Sequence, residues 1–142
     1  MGNNLASELK RLDKKLAKLG KAARGAAVLN TLVRAGRLVQ RAAKANAARD
    51  TGAMASNIHI VKTRANVQRP SVWVQTGTRE QMGISADAEW YYPAIIEYGG
   101  VRKDGRAIPA KPFLRPAYDS NRGAALEIIK RNMGREIRKA VS

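Results

Sequence analysis

The sequence predicts an α+β fold in which N-terminal helices and a C-terminal helix flank a small antiparallel β-sheet. Three observations predict this fold. Apolar residues recur at helical spacing over residues 1–48 and again over residues 119–141. Residues 57–118 lie between them and are richer in Val, Ile and Thr, in the alternating pattern of strands. The 142 residues contain no internal repeat, and their number suits a single domain.

Two helical patterns make up the N-terminal region. The second runs from Ala26 to Ala47, and Gly20 and Gly25 separate it from the first, so the pattern allows one long helix or two. An apolar stripe marks the first pattern, formed by Leu5, Leu9, Leu12, Leu16, Leu19 and Ala23. One apolar face marks the second, formed by Val28, Leu32, Ala35, Val39 and Ala43 with Leu29 and Leu38 beside it.

The middle of the chain predicts short strands joined by turns. A strand begins at Ile58, a turn covers residues 66–70, and a second strand covers residues 71–76, which predicts an antiparallel hairpin. Residues 79–88 are polar and predict a loop. Residues 90–98 have the composition of a strand, but Pro93 excludes a central strand and suits the first turn of a short helix, so both remain open.

The segment of residues 108–117 contains Pro109, Pro112 and Pro116 within eight positions. Each proline fixes φ and restricts the residue before it to extended geometry. The segment therefore predicts a stiff extended arm that delivers Phe113 and Leu114 to a fixed place, with neither a helix nor a central strand within it. The final helix is expected to begin afterwards, with Asp119 or Ser120 as its N-cap.

A second hairpin or a flexible loop is expected before this arm, with its tip at residues 103–106. The predicted C-terminal helix carries one apolar face, which consists of Ala125, Ile128, Ile129, Met133, Ile137 and Val141. Basic residues crowd its last turns, where they favour the negative end of the helix dipole: Arg135, Arg138 and Lys139.

The formal charge of +16 is concentrated at the two ends of the chain. Residues 1–50 carry a net charge of +9, residues 51–100 of 0, and residues 101–142 of +7. The basic ends are expected to face nucleic acid or acidic neighbouring subunits, or else to be solvated helix faces. Contact with DNA would be non-specific, because the sequence has no helix-turn-helix and no aromatic RNA-binding strands. The candidate residues of the first helix are Lys10, Lys14, Lys18 and Lys21.

Catalytic chemistry finds little support in the sequence. His59 is the single histidine, and no Ser, Cys or Asp close to it in sequence would complete a triad. Asp87 and Glu89 could touch one cation, but a solvated loop is the better interpretation. The chain has no cysteine, no phosphate-binding loop, no signal-peptide pattern and no apolar run long enough to cross a membrane. We therefore expect neither an enzyme, a metal site, a cofactor nor a membrane protein.

Three segments occur in order along the chain: DTGAMASNI at residues 50–58, YPAIIEYG at residues 92–99 and PAKPFLRPA at residues 109–117. In this order they resemble the HK97-type (gp10-like) neck and tail-completion family of tailed phages. Residues 50–58, DTGAMASNI, resemble its Thr-Gly, Leu-or-Met, Ser-x-Ile signature. Residues 92–99, YPAIIEYG, resemble Tyr-Ala-x-x-Val-Glu-Phe-Gly, and residues 109–117, PAKPFLRPA, resemble Pro-Ala-x-Pro-Phe-Leu-Arg-Pro-Ala. The departures are Gly100, where the family usually has Thr, and the long loop of residues 101–107.

This resemblance implies a non-enzymatic structural protein that forms a ring at the head–tail junction of the virion, after synthesis in the host cytoplasm. Its implied partners are further copies of itself, in a hexamer or a related symmetry, the head-closure or connector protein, and the tail terminator or tail tube. DNA would pass through the centre. Alternatives are a tail terminator capping the tube and, in another class, a non-specific nucleic-acid-binding protein. The implied assembly residues are Thr51, Gly52, Tyr92, Glu97, Tyr98, Gly99, Pro109, Pro112, Phe113, Leu114, Arg115 and Pro116.

Two of these residues carry specific hypotheses. Glu97 is the acid of the second signature, and we expect it to order the proline-rich arm through backbone donors or through Arg115. Phe113 is expected to fill a pocket, either in its own subunit or in the next one.

Overall fold

In the part of the chain that the structure describes, two long helices, two short helices and two small antiparallel hairpins follow a partly described helical segment at the N-terminus. The computed structural model describes residues 6–8, 10, 11, 13, 14, 17, 21–47, 52–64, 68–88 and 91–141. The elements are α1 (Lys21–Asn46), α2 (Ala53–Ser56), β1 (Ile58–Lys62), β2 (Val72–Thr76), α3 (Tyr92–Tyr98), β3 (Gly100–Val101), β4 (Ala107–Ile108) and α4 (Leu114–Val141). This arrangement confirms the predicted α+β class. Among the described residues, no helix is long and apolar enough to cross a membrane.

Helices α1 and α4 pack against each other in antiparallel directions. The Asn46 side chain, at the end of α1, donates a hydrogen bond to the carbonyl of Phe113 just before α4, over 3.4 Å. Twelve residues earlier in α1, Arg34 donates to the Asn132 side chain, far along α4, over 3.2 Å. Helix α1 continues through Gly25, so this glycine does not break it.

Part of the N-terminal segment also contacts α4. Residues 6–8, 10, 11, 13 and 14 are helical, and Glu8 forms an ion pair of 2.5 Å with Lys130. The predicted leucine stripe of this segment lies outside the described residues, as does Gly20. The question of one N-terminal helix or two therefore stays open.

Strands β1 and β2 form the predicted antiparallel hairpin, with Ile58 opposite Thr76 and Lys62 opposite Val72. The hairpin lies directly on α1. A Cβ atom placed on Gly36 of α1 would come within 3.3 Å of a Val72 methyl group, so the missing side chain permits the close approach. Gln40 of α1 also donates a hydrogen bond of 2.8 Å to the carbonyl of Ile58.

The second hairpin pairs β3 with β4, and among the described residues it forms a two-stranded sheet separate from the first. Its tip is closed by a hydrogen bond of 2.8 Å from the Arg102 amide to the Arg106 carbonyl. Gly105 has a φ of 82°, a conformation that glycine adopts without strain. The predicted tip at residues 103–106 is confirmed.

Residues 92–98 form helix α3, so the helical alternative for this segment is correct. Pro93 lies in the first turn, where a missing amide donor costs nothing. The Tyr91 hydroxyl, immediately before the helix, donates to the carbonyl of Gly77 over 2.7 Å. This contact ties the start of α3 to the end of β2.

The predicted start of the C-terminal helix is wrong. Helix α4 begins at Leu114, five residues before Asp119, and it includes Pro116 in its first turn. The prediction treated the whole proline-rich segment as incompatible with a helix. Prolines are excluded from helix interiors, but amides in the first turn have no intrahelical acceptor to lose. Only residues 109–113 form the irregular arm that the sequence predicted for residues 108–117.

The hydrophobic core joins α1, α2, β1 and the start of α4. Its fully buried residues are Val39, Ala43, Ala47, Met54, Ile58, Phe113 and Ala117. Phe113 is the largest of these and has none of its surface exposed. Its pocket is therefore in its own subunit. Of the predicted α1 face, Ala35, Val39 and Ala43 are buried, while Val28 and Leu32 are only half-buried.

We predict that Phe113→Ala lowers the free energy of unfolding by about 3–5 kcal/mol, because the remaining core residues are too small to close the cavity. Urea unfolding followed by circular dichroism would measure the change. Tyr118→Ala is the matched control, since Tyr118 is an aromatic residue five positions further along the chain and is 58% exposed. Equal losses for the two variants would contradict the anchoring role of Phe113.

Candidate functional site

The Glu97 carboxylate lies against the start of α4 and accepts three backbone hydrogen bonds from it. Oε2 accepts from the amides of Phe113 and Leu114, over 2.8 and 2.9 Å. Oε1 accepts from the amide of Arg115, over 2.8 Å. Glu97 thus caps a helix that begins seventeen residues after it, and it does so from the last turn of α3.

This cap satisfies the first turn of α4 completely. The first amides of any helix have no carbonyl partner within the helix. Here three of them point to one carboxylate, and the next residue, Pro116, has no amide hydrogen to satisfy. The negative charge also lies at the positive end of the helix dipole. The backbone alternative of the Glu97 hypothesis is therefore the one that the structure shows.

The surroundings of Glu97 favour its ionised form. Burial alone would raise the pKa of the carboxyl group, because it disfavours the charge. The backbone donors of Leu114, Phe113 and Arg115 and the charge of the Arg115 guanidinium act in the opposite direction. Together they lower the pKa of Glu97 below its ordinary value.

Gly99 follows α3 and lets the chain pass next to the arm. Its φ is 75°, and a Cβ atom there would come within 2.8 Å of the Ile108 carbonyl oxygen and 3.1 Å of the Ala110 nitrogen. The backbone of the arm is also hydrogen-bonded to α3, because the Lys111 amide donates to the Ile96 carbonyl over 2.8 Å. A glycine is therefore required at this position for both conformation and space.

An apolar groove of about 490 Å³ opens beside the Glu97 cap. Its walls come from α1, β2, the end of α3 and the first half of α4, and the Glu97 side chain contributes to its lining. Three large aromatic side chains line it while keeping much of their surface exposed: Trp73 at 49%, Tyr98 at 71% and Tyr118 at 58%. The Arg115 guanidinium lies 5.9 Å from the centre of the Tyr98 ring, within range of a cation–π interaction. We call this feature the aromatic groove.

The structure brings seven of the twelve predicted assembly residues together at this place. Glu97, Tyr98, Gly99, Phe113, Leu114 and Arg115 form the cap and one side of the aromatic groove, and Pro116 completes the first turn of α4. Pro109 and Pro112 are exposed on the arm. Tyr92 is exposed at the other end of α3, Gly52 precedes α2 with a φ of 70°, and Thr51 lies outside the described residues.

The predicted basic residues do not line the groove. Lys10, Lys14, Arg135 and Arg138 are exposed, and Lys139 is exposed with an ion pair of 3.5 Å to Glu136. Lys18 lies outside the described residues, and for Lys21 only the backbone, at the start of α1, is described.

The sequence analysis missed Trp73 and Tyr118 as members of the site. Tyr118 follows Leu114 by four residues, a spacing that places both on one helix face. The correct start of α4 would have revealed this pairing. Trp73 offered no such signal, because the sequence does not tell which face of β2 is left uncovered.

The remaining candidate groups stay apart. His59 is half-buried in β1, opposite Gln75. Asp87 is exposed, and a hydrogen bond from the Ser85 hydroxyl lowers its pKa. Glu89 lies outside the described residues. Within the described part of the chain, no three His, Cys, Asp or Glu side chains converge as a metal site would require.

Comparison with known protein families gives the following match. Residues 10–99 match the HK97-gp10-like family, described as "Bacteriophage HK97-gp10, putative tail-component". The chain belongs to this family. It is therefore a structural protein related to the bacteriophage tail, which associates it with the virion and with other phage structural proteins. No curated protein and no solved structure matches the chain.

The matched range includes two of the three signature segments, residues 50–58 and residues 92–99. It ends before the proline-rich segment of residues 109–117. The Glu97 cap therefore joins the last turn within the matched range to a helix outside it.

We predict that stability falls in acid as Glu97 becomes protonated. The pKa of Glu97 is lower in the folded than in the unfolded chain. Its contribution to the free energy of unfolding is therefore fully present at a pH above the ordinary pKa range of carboxyl groups. It is lost as the pH falls through the lower pKa of the fold. Urea unfolding between pH 7 and pH 3 would show this loss.

Glu97→Gln is the decisive variant, because the neutral amide presents an NH₂ group to amides that need acceptors. We expect the free energy of unfolding to fall by about 3 kcal/mol at pH 7. We also expect it to change less between pH 7 and pH 3 than in the wild type. Glu80→Gln, at an exposed position, is the control. A Glu97→Gln variant as stable as this control would argue against the cap.

A second prediction concerns Gly99. Gly99→Ala places a Cβ atom against the backbone of Ile108 and Ala110, so it should destabilise by about 2–4 kcal/mol through strain and displacement of the arm. Gly105→Ala has the same positive φ with no atom within 4 Å of the new Cβ, so it measures conformational strain alone. Thermal melting of both variants compares the two effects. Equal shifts in melting temperature would contradict the close approach.

Proposed function

We propose that the chain is a subunit of an oligomeric ring at the head–tail junction of a tailed phage, in the neck or at the point of tail completion. The ring joins the connector to the tail and lets DNA pass through its centre. Its partners are further copies of the chain, the head-closure or connector protein on one side, and the tail terminator or tail tube on the other. Membership of a family of tail components supports this role.

The single observation that carries the proposal is the aromatic groove. Soluble monomers rarely leave several large aromatic side chains exposed together, and such residues are enriched in the contacts between subunits. Trp73, Tyr98 and Tyr118 surround an apolar floor that includes Leu32, Val39 and Ile129. We assign this groove to the contact with a neighbouring subunit in the ring.

The groove is preformed, which suits a component that must assemble in one geometry. Tyr98 follows the capping residue Glu97 directly, and Leu114 and Arg115 belong to the turn that is capped. The hydrogen bonds that start α4 therefore also fix one wall of the groove. A rigid surface loses less conformational entropy when it is covered by a partner.

We expect the purified chain to form oligomers that dissociate when the groove is made polar. Trp73→Ser, Tyr98→Ser and Tyr118→Ser together should shift the chain to monomer, because they remove the buried aromatic contacts on which such interfaces depend. Light scattering after size exclusion, over a wide range of protein concentration, measures the mass. Negative-stain imaging shows whether the oligomers are rings.

Val101→Ser is the control, since Val101 is 72% exposed on the second hairpin and does not line the groove. Circular dichroism must show that the triple variant keeps its fold. A wild-type chain that stays monomeric at every concentration would contradict the ring. Rings that persist in the triple variant would contradict the groove as the contact.

A further inference from the structure

The exposed face of α1 carries a row of four basic residues. Arg34, Arg37, Arg41 and Lys44 follow one another at intervals of three, four and three residues, which places them on one side of the helix. All four are exposed, and none lines the aromatic groove. At the rise of an α-helix, the row spans about 15 Å. We call it the α1 basic row.

We propose that the α1 basic row binds the phosphate backbone of duplex DNA without sequence specificity. The inference rests on the proposed function, which places DNA in the centre of the ring, and it deepens that function by naming the surface that meets the DNA. The row differs from the basic residues that the sequence analysis singled out near the two ends of the chain.

Helix α1 contains no acidic residue that could balance the positive charge of this row. Its 26 residues include six basic and no acidic residues. Neighbouring like charges at these spacings destabilise a helix slightly, so an anion against the row would relieve repulsion. Within the described part of the chain, no residue of the α1 basic row takes part in an ion pair.

The last turns of α4 differ in this respect. There Glu136 pairs with Lys139 over 3.5 Å, and Glu127 pairs with Lys130 over 3.5 Å. The α4 cations are thus partly neutralised by acids of their own helix, whereas those of α1 are not. This contrast selects α1 as the stronger anion-binding surface.

The composition of the row favours nucleic acid over an acidic protein. Between Arg24 and Asn46, the exposed residues of α1 other than the row itself are alanines and asparagines. Protein interfaces need apolar or aromatic anchors at their centre, and this face has none. Phosphate contacts need only positive charge and hydrogen-bond donors, which arginine provides.

The test is fluorescence anisotropy with a labelled random-sequence duplex of about 20 base pairs, titrated with the full chain at several KCl concentrations. The variant is Arg37→Gln, Arg41→Gln and Lys44→Gln together, and Arg34 stays because it bonds to Asn132. Each phosphate contact contributes about 0.9 to the slope of log affinity against log salt. Losing three should reduce that slope by about 2.7 and the affinity at 100 mM salt by at least about tenfold.

The matched control removes three exposed charges from the first hairpin: Lys62→Gln, Arg64→Gln and Arg69→Gln. It has the same net charge as the α1 variant. Its slope of log affinity against log salt should stay within about 0.9 of the wild-type slope, the value of one phosphate contact. Equal losses in the two variants would show diffuse attraction and overturn the proposal. Wild-type binding to polyglutamate that is tighter than to the duplex, and lost in the α1 variant, would overturn it in favour of an acidic protein.

The test of DNA binding by the α1 basic row can be distinguished from the test of ring formation. Light scattering on the same samples reports the oligomeric state, which the α1 variant should share with the wild type. A monomeric wild type that binds the duplex through the row would contradict the ring and leave the row supported. Rings that bind the duplex equally well in wild type and α1 variant would support the ring and overturn the row.

Discussion

The Glu97 carboxylate is the interaction on which the other features of the molecule depend. It holds three amides of α4, fixes the point where the arm ends and the helix begins, and in doing so positions Phe113 over the core. Burying a carboxylate is costly unless its hydrogen-bonding capacity is used, and here the helix start uses it. The hydrogen bonds to Glu97 also fix the positions of Tyr98 and Arg115 at the rim of the aromatic groove.

The molecule presents two surfaces with different chemistry. One is an apolar groove with aromatic rims, and the other is a row of cations on a helix without acids. The first suits contacts that exclude water, and the second suits contacts that remain hydrated and exchange counterions. In the proposed ring they serve different partners, the neighbouring subunit and the DNA. Because no residue of the row lines the groove, variants at one surface can leave the other intact.

The sequence allowed the fold class to be predicted because periodic patterns report on local geometry. The β1–β2 hairpin followed from alternation, and the buried positions Ala35, Val39 and Ala43 of α1 followed from helical spacing. The start of α4 did not, because a proline-rich segment looks incompatible with a helix until the partner of its first amides is known. That partner, Glu97, is a tertiary contact with no trace in local sequence. The acid itself was identified by its place in a signature, while Trp73 was missed because its exposure depends on how the hairpin sits on α1.

Gly36 has a consequence for the precision of the proposed assembly. Most helices contact a sheet through interlocking side chains. Helix α1 contacts β2 here through the backbone of Gly36, which has no side chain, and a methyl group of Val72. The spacing between these two walls of the groove is thus set by the α1 backbone on one side and by a β-branched side chain, which has few rotamers, on the other. A side chain added at Gly36 would press against Val72 and widen the groove, and with it the contact that the proposed ring repeats between its subunits.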